Sequence, residues 1–132
     1  QLAHDYDITL AVENVGLRPL DTLLFDLPEF EHLLEDLPRV AVLLDTGHAH
    51  VNSWDLPKVI EHFGSRLAGV HLHDNDGLTD QHLPVGEGSI DWPPVFAALK
   101  KWAPQTRLIL EYADTNSKKL ATHVPELIKK YG

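Results

Sequence analysis

Four times along the chain, an apolar run gives way to one carboxylate or imidazole, then a loop, then an amphipathic segment. The runs are Ile8–Val12 (ITLAV), Val40–Leu44 (VAVLL), Leu67–Val70 (LAGV) and Arg107–Leu110 (RLIL). They are nearly continuous in hydrophobicity rather than alternating, the pattern of parallel strands covered on both faces. Helical spacing fills the intervals. Phe30, Leu33, Leu34 and Leu37 fall at i, i+3, i+4 and i+7 behind Pro28. Leu56, Val59, Ile60 and Phe63 repeat that spacing between an expected N-cap at Asp55 and a stop at Gly64. Trp92, Val95, Phe96 and Leu99 repeat it after Asp91, with prolines in the first turn. Leu120, Val124, Leu127, Ile128 and Tyr131 predict a last helix, with an irregularity at Pro125. The opening QLAHDYD reads as the tail of a preceding helix. Alternation of this kind requires a parallel sheet, doubly wound or closed as a barrel, so the fold class is α/β, a (βα)4 unit. At 132 residues we expect a single domain, 1–132. No Gly-x-Gly-x-x-Gly follows the first run, so a dinucleotide-binding fold has no support.

The residues that end the runs carry the chemistry. They are Glu13, Asp45, His71 and Glu111. In a parallel barrel all four strand ends open on one face, where active sites lie. Three carboxylates and an imidazole form a hard-to-borderline donor set suited to a divalent metal: Mn²⁺, Mg²⁺, Co²⁺ or Zn²⁺. A second set lies close by in sequence: His48 in DTGH, and Asp80 with His82 in DQH. Two histidines and an aspartate make an open, three-ligand position of the catalytic zinc type. Taken singly, a strand-end carboxylate is as often a helix cap; four in register point to a site. His50 and His73 read as supporting or merely polar groups. Asp74 reads as a turn residue or an orienting partner for a ligand histidine. Gly86 and Gly88 read as loop glycines with Glu87 structural between them, and His32, His62 and His123 as solvated helix residues.

Charge narrows the partners. The net charge is -9, and the eleven Lys and Arg form no basic stripe. Nucleic acid is therefore not the expected partner, because phosphate neutralisation dominates such binding. No apolar run reaches the roughly 18 residues of a membrane span. Cysteine is absent, which leaves no thiolate site and fits a cytoplasmic location.

Together VEN (Val12–Asn14), LLDTGHAH (Leu43–His50), VHLHD (Val70–Asp74), DQHLPVGEGSIDW (Asp80–Trp92) and LILEY (Leu108–Tyr112) resemble the second half of the xylose isomerase-like TIM barrels. That superfamily includes sugar isomerases and epimerases and the endonuclease IV family. The resemblance implies the C-terminal half of a (β/α)8 barrel, its fifth to eighth strands. By resemblance to the epimerases, Glu13, Asp45, His71 and Glu111 would hold one ion. Glu13 and Glu111 would exchange a proton beside the carbonyl of a small sugar substrate through a metal-stabilised enediolate, and His48 would contact a substrate oxygen. By resemblance to endonuclease IV, His48, Asp80 and His82 would hold a zinc in an AP endonuclease or phosphodiesterase. The expected activity is that of a metal-dependent sugar or sugar-phosphate isomerase or epimerase. The alternatives are that zinc phosphodiesterase and a non-catalytic metal-binding half-barrel. A full barrel takes about 250 residues. We therefore expect either a missing N-terminal half-barrel or a homo-oligomer to cover the open edges.

Overall fold

The computed structural model describes residues 2–113 and 117–132. Its centre is a parallel sheet whose four strands lie in the order in which they occur. They are β1 (Ala11–Glu13), β2 (Ala41–Asp45), β3 (Leu67–Leu72) and β4 (Arg107–Leu110). Helices run between and beyond the strands: α1 (Leu2–Asp5), α2 (Leu27–Asp36), α3 (Thr46–Val51), α4 (Leu56–Phe63), α5 (Trp92–Trp102) and α6 (Ser117–Tyr131). None of the described helices is long and apolar enough to cross a membrane.

Helix boundaries follow local chemistry. Asp26 accepts the Glu29 N–H at 3.1 Å while Glu29 accepts the Asp26 N–H at 2.9 Å, a capping box that starts α2. Asp55 caps α4 by accepting from the Lys58 N–H, and Gly64, at φ 44°, ends it. The Arg66 guanidinium donates to the carbonyls of Leu34, Leu37 and Val40, which satisfies the end of α2 and ties it to the start of β2.

The helical stripes face one side of the sheet. Phe30 and Leu34 of α2, Val59, Ile60 and Phe63 of α4, and Val95 and Leu99 of α5 pack with Val42, Leu44, Val70 and Leu72 of the strands. Each such side chain is worth about 1.5–3 kcal/mol when fully buried. Side chains alternate across a strand, so Leu43, Gly69 and Ile109 belong to the opposite face. A Cβ on Gly69 would stand 3.0 Å from Leu43 Cδ1 and 3.6 Å from Ile109 Cδ1, which places those three together.

Several expected boundaries differ. β1 begins at Ala11 rather than Ile8, whose N–H donates back to the Ala3 carbonyl of α1 at 2.8 Å. Ile8 and Leu10 are 61% and 56% exposed, and the Leu10 carbonyl accepts the Ala41 N–H at 2.9 Å. β2 and β3 run further than expected, so Asp45 ends β2 from within and His71 is the penultimate residue of β3. α3 was not anticipated; it forms because Asp45 accepts the His48 N–H at 2.7 Å. α6 runs continuously through Pro125, where the sequence predicted an irregularity and where proline removes one helical donor. The opening segment is helical over Leu2–Asp5, and Gln1 lies outside the described residues.

Candidate metal centre

Glu13, Asp45, His71 and Glu111 arrive at one place because period-two alternation puts all four on the face opposite the helices. The register pairs Asp45 with His71, and His71 with Ile109, two residues before Glu111. His71 Nδ1 lies 2.8 Å from Glu111 Oε2, 3.2 Å from Glu13 Oε1 and 3.7 Å from Asp45 Oδ2. Single ligand atoms of Glu13, Asp45 and His71 all lie within 4.8 Å of one another. Two edge strands thus supply the glutamates and the two central strands supply the aspartate and the histidine.

The second set also assembles. His48 Nε2 and His82 Nε2 lie 3.3 Å and 3.1 Å from the same oxygen, Asp80 Oδ2. His48 Nδ1 lies 3.2 Å from the Asn14 carbonyl and His82 Nδ1 lies 3.0 Å from the Glu111 carbonyl. A carbonyl only accepts, so each Nδ1 carries a hydrogen; a protonated ring then donates Nε2–H to Asp80, and a neutral ring presents a bare Nε2 beside it. In the neutral form two nitrogens and a carboxylate oxygen converge, an arrangement relieved by a cation. Around His71, three carboxylates converge on one imidazole nitrogen, and a cation again offsets the repulsion. Both donor sets therefore fit a divalent ion, and in the second the outer ring nitrogens of His48 and His82 are held by backbone carbonyls, as in metal-ligating histidines.

His82 is held with some force. Its φ is 48°, left-handed for a residue with a bulky side chain. Its carbonyl accepts the Ala113 N–H at 3.0 Å, so both its backbone and its ring are fastened beyond the end of β4. Strain of this kind persists where surroundings over-determine it.

The loop from β3 to α5 is organised by Asp74. This fully buried carboxylate accepts from the N–H groups of Asn75, Gly86 and Ile90 and from Trp92 Nε1 at 2.6 Å. Asp74 therefore braces the loop instead of orienting a ligand histidine, because every bond it makes goes to backbone or indole N–H. Gly88 is needed there for close approach: a Cβ would collide with the Asn75 carbonyl and the Asp74 carboxylate. Glu87 is exposed, 3.8 Å from Lys119.

Two groups near the site had no assigned role in the sequence, and a third, His73, was read as a supporting or merely polar group. Buried Asn14 accepts the Asp45 N–H at 2.7 Å and donates to its carbonyl at 3.0 Å, clamping the β2 end to β1. Thr46 Oγ1 lies 3.0 Å and 2.9 Å from the carbonyls of His71 and His73. His73, expected to be polar support, is fully buried at the centre: its Nε2 lies 2.9 Å and 3.0 Å from the two Asp45 oxygens. The pattern VHLHD held the signal, since residues two apart on a strand share a face. Burial pushes the Asp45 carboxyl up, but the His73 hydrogen bond, with the charges of His73 and His48, outweighs it and leaves the pKa below 3.8. Burial pushes His73 down, and the Asp45 hydrogen bond and charge, with Asp80 and Glu111, carry it above 6.5. His50 lies apart, 2.8 Å from Ser89 Oγ. His32 and His62 are exposed on helices, whereas His123 is half-buried with its ring 5.6 Å from that of Tyr112, closer packed than expected.

The fold agrees with that of known proteins. A family model described as xylose isomerase-like TIM barrel matches residues 1–131. An uncharacterised protein of Methanocaldococcus jannaschii is 28% identical over 145 residues, covering 99% of this chain and 45% of that protein. An inosose dehydratase of Salmonella typhimurium is 31% identical over 137 residues, covering 80% of this chain and 44% of the dehydratase. Among solved structures, a D-tagatose 3-epimerase-like protein superposes with a TM-score of 0.73 at 27% identity, covering 98% of this chain and 49% of its own. An AP endonuclease, family 2, from Brucella melitensis gives 0.72 at 22% identity, with the same coverages of 98% and 49%. The chain spans about half the length of the relatives it matches. It belongs to the xylose isomerase-like TIM barrel family, of which it carries four parallel strands and their helices.

Proposed function

We propose that this chain is the metal-holding C-terminal half of a divalent-metal-dependent sugar or sugar-phosphate isomerase or epimerase. The observation that carries this reading is that Glu13 and Glu111, from opposite edges of the sheet, reach the same His71 nitrogen at 3.2 Å and 2.8 Å. Two carboxylates so placed flank the space above the sheet, one to take the proton beside a carbonyl and the other to return it. A divalent ion held by Glu13, Asp45, His71 and Glu111 supplies positive charge that polarises that carbonyl. His48, with Nε2 on the inner side of the site, contacts a substrate oxygen. The likeness to a D-tagatose 3-epimerase-like protein supports a small sugar as the substrate class. The remaining strands come from an N-terminal half-barrel or a second copy of the chain.

A second reading, a zinc-dependent AP endonuclease or phosphodiesterase, is favoured by the assembled His48, Asp80 and His82 set. Against it stands the net charge of -9, which repels a phosphate backbone. A third is metal binding without catalysis, consistent with a chain that spans about half of its relatives.

Metal titration followed by turnover separates the three. Mn²⁺, Co²⁺ or Zn²⁺ added to chelator-treated chain should stabilise the fold, by about 2.7 kcal/mol at 100 times the dissociation constant. Glu111→Gln should weaken that effect and His32→Gln should not. With a ketohexose in D₂O, deuterium should enter beside the carbonyl, and either Glu13→Gln or Glu111→Gln should stop it. Bound ion without exchange once the remaining half-barrel is supplied assigns the non-catalytic reading, cleavage of abasic-site duplex assigns the phosphodiesterase, and no thermal shift with any ion rejects a metal site in this chain.

A further inference from the structure

His73 meets the two donor sets by different kinds of contact. Its Nε2 is bonded to both oxygens of Asp45, from the set around His71. Its ring stacks on His82, from the other set, with centroids 3.9 Å apart and planes 4° from parallel. Stacked rings direct their in-plane nitrogen lone pairs parallel rather than at one point, so His73 and His82 do not chelate a common ion as they stand. The ring is completely buried and seated against Gly47, where a Cβ would collide with it. Asp45 accepts, so Nε2 carries a hydrogen; Nδ1 is buried without a hydrogen-bond partner, 3.8 Å from Asp80 Oδ1, which is likewise unpartnered.

We propose that His73 is a positioning residue joining the two ion positions. Its Nε2–H holds the Asp45 carboxylate at the first, and its ring face holds the His82 imidazole at the second. The inference rests on both donor sets holding an ion, the second as in the zinc-dependent reading. The two contacts are separable by substitution. His73→Phe keeps a ring on His82 and beside Gly47 but cannot donate to Asp45. His73→Gln keeps an amide donor in place of Nε2–H but loses the stack.

The experiment places each variant in two backgrounds of the 132-residue chain, Asp80→Asn to report the first position and Glu13→Gln to report the second. Calorimetric titration with Mn²⁺ and Zn²⁺ reads affinity, and circular dichroism checks the fold. His73→Phe should weaken the first position about 10- to 100-fold, the usual effect of losing a bond to a ligating carboxylate, and leave the second unchanged. His73→Gln should leave the first unchanged and weaken the second roughly 2- to 10-fold, the scale of a lost ring pair. Equal weakening of both positions by both variants is what a packing role gives, and it overturns the proposal. A long-range ¹H–¹⁵N spectrum of metal-free wild type at mildly alkaline pH needs no variant and no ion. It should show Nε2 of His73 protonated; a bare Nε2 overturns the proposal even if no variant folds. If wild type takes up neither ion, the metal reading fails and this spectrum alone decides whether His73 holds Asp45.

Discussion

Asp55 stands at the mouth of α4 with about half its side chain in water, 2.6 Å from Lys58 Nζ. Its pKa lies below 3.8: the Lys58 side-chain hydrogen bond leads, burial opposes it, and the Lys58 backbone N–H and charge add to the lowering. A carboxyl whose folded-state pKa is depressed gives its full contribution above the unfolded value and loses it as pH falls through the folded one. Replacing Asp55 by Ala should therefore cost about 1 kcal/mol at neutral pH, the usual worth of an N-cap. The gap in melting temperature between the two proteins should then close on acidification below 3.8. A gap that stays constant through that range would mean the carboxylate does not cap the helix. Asp55 was legible in the sequence because its role is local, three residues from its partner. Asp45 was legible as a strand end, but its bond to His73, twenty-eight residues away, depends on how β2 and β3 register and does not appear in either segment alone.

At the scale of elements, the long β3–α5 loop behaves as a built part rather than as slack chain. Asp74 and Leu83 exchange both backbone bonds at 2.8 Å and 2.9 Å, and the Asp74 carboxylate serves four donors. Its Oδ1 takes two of them and its Oδ2 the other two, so Asp74→Asn turns one acceptor into a donor facing N–H groups. We predict a loss of about 3 kcal/mol or more, because buried donors left unpaired cost about 1–3 kcal/mol each. Glu87→Gln on the exposed part of the loop should stay within about 0.5 kcal/mol. Urea unfolding of the two variants measures both; near-equal midpoints would show that Asp74 does not hold the loop. The strand and helix inventory was readable from periodicity, and β4 matched at both ends. α3 escaped because TGHAHV has no apolar stripe and is set by a cap and by burial of Thr46, Gly47, Ala49 and Val51. The loop's bracing escaped because close approach at Gly88 and convergence on Asp74 are properties of a closed loop, invisible to windowed patterns.

At the scale of the molecule, the sheet is the unfinished part. β1 and β4 each have one neighbour, so each presents a row of unpaired backbone groups. A parallel strand is ordinarily covered on both faces, yet Leu108 and Ile109 of β4 are 49% and 41% exposed, on opposite faces. Ile8 and Leu10 add apolar surface beside β1, at 61% and 56%. Burying the exposed part of each such side chain is worth on the order of 1 kcal/mol, and strand pairing adds backbone hydrogen bonds. We therefore predict that the chain alone associates, edge to edge or inner face to inner face. Sedimentation at rising concentration should show a growing fraction above monomer mass. Ile109→Lys puts a charge on the inner face beneath the site without touching the donor groups, and it should weaken association tenfold or more, about 1.4 kcal/mol. The same substitution should leave the far-UV circular dichroism unchanged, since Ile109 is not among the side chains packed under the helices. A chain that remains monomeric at every concentration and melts in one cooperative step would show that four strands and one covered face suffice, and that the open edges need no partner.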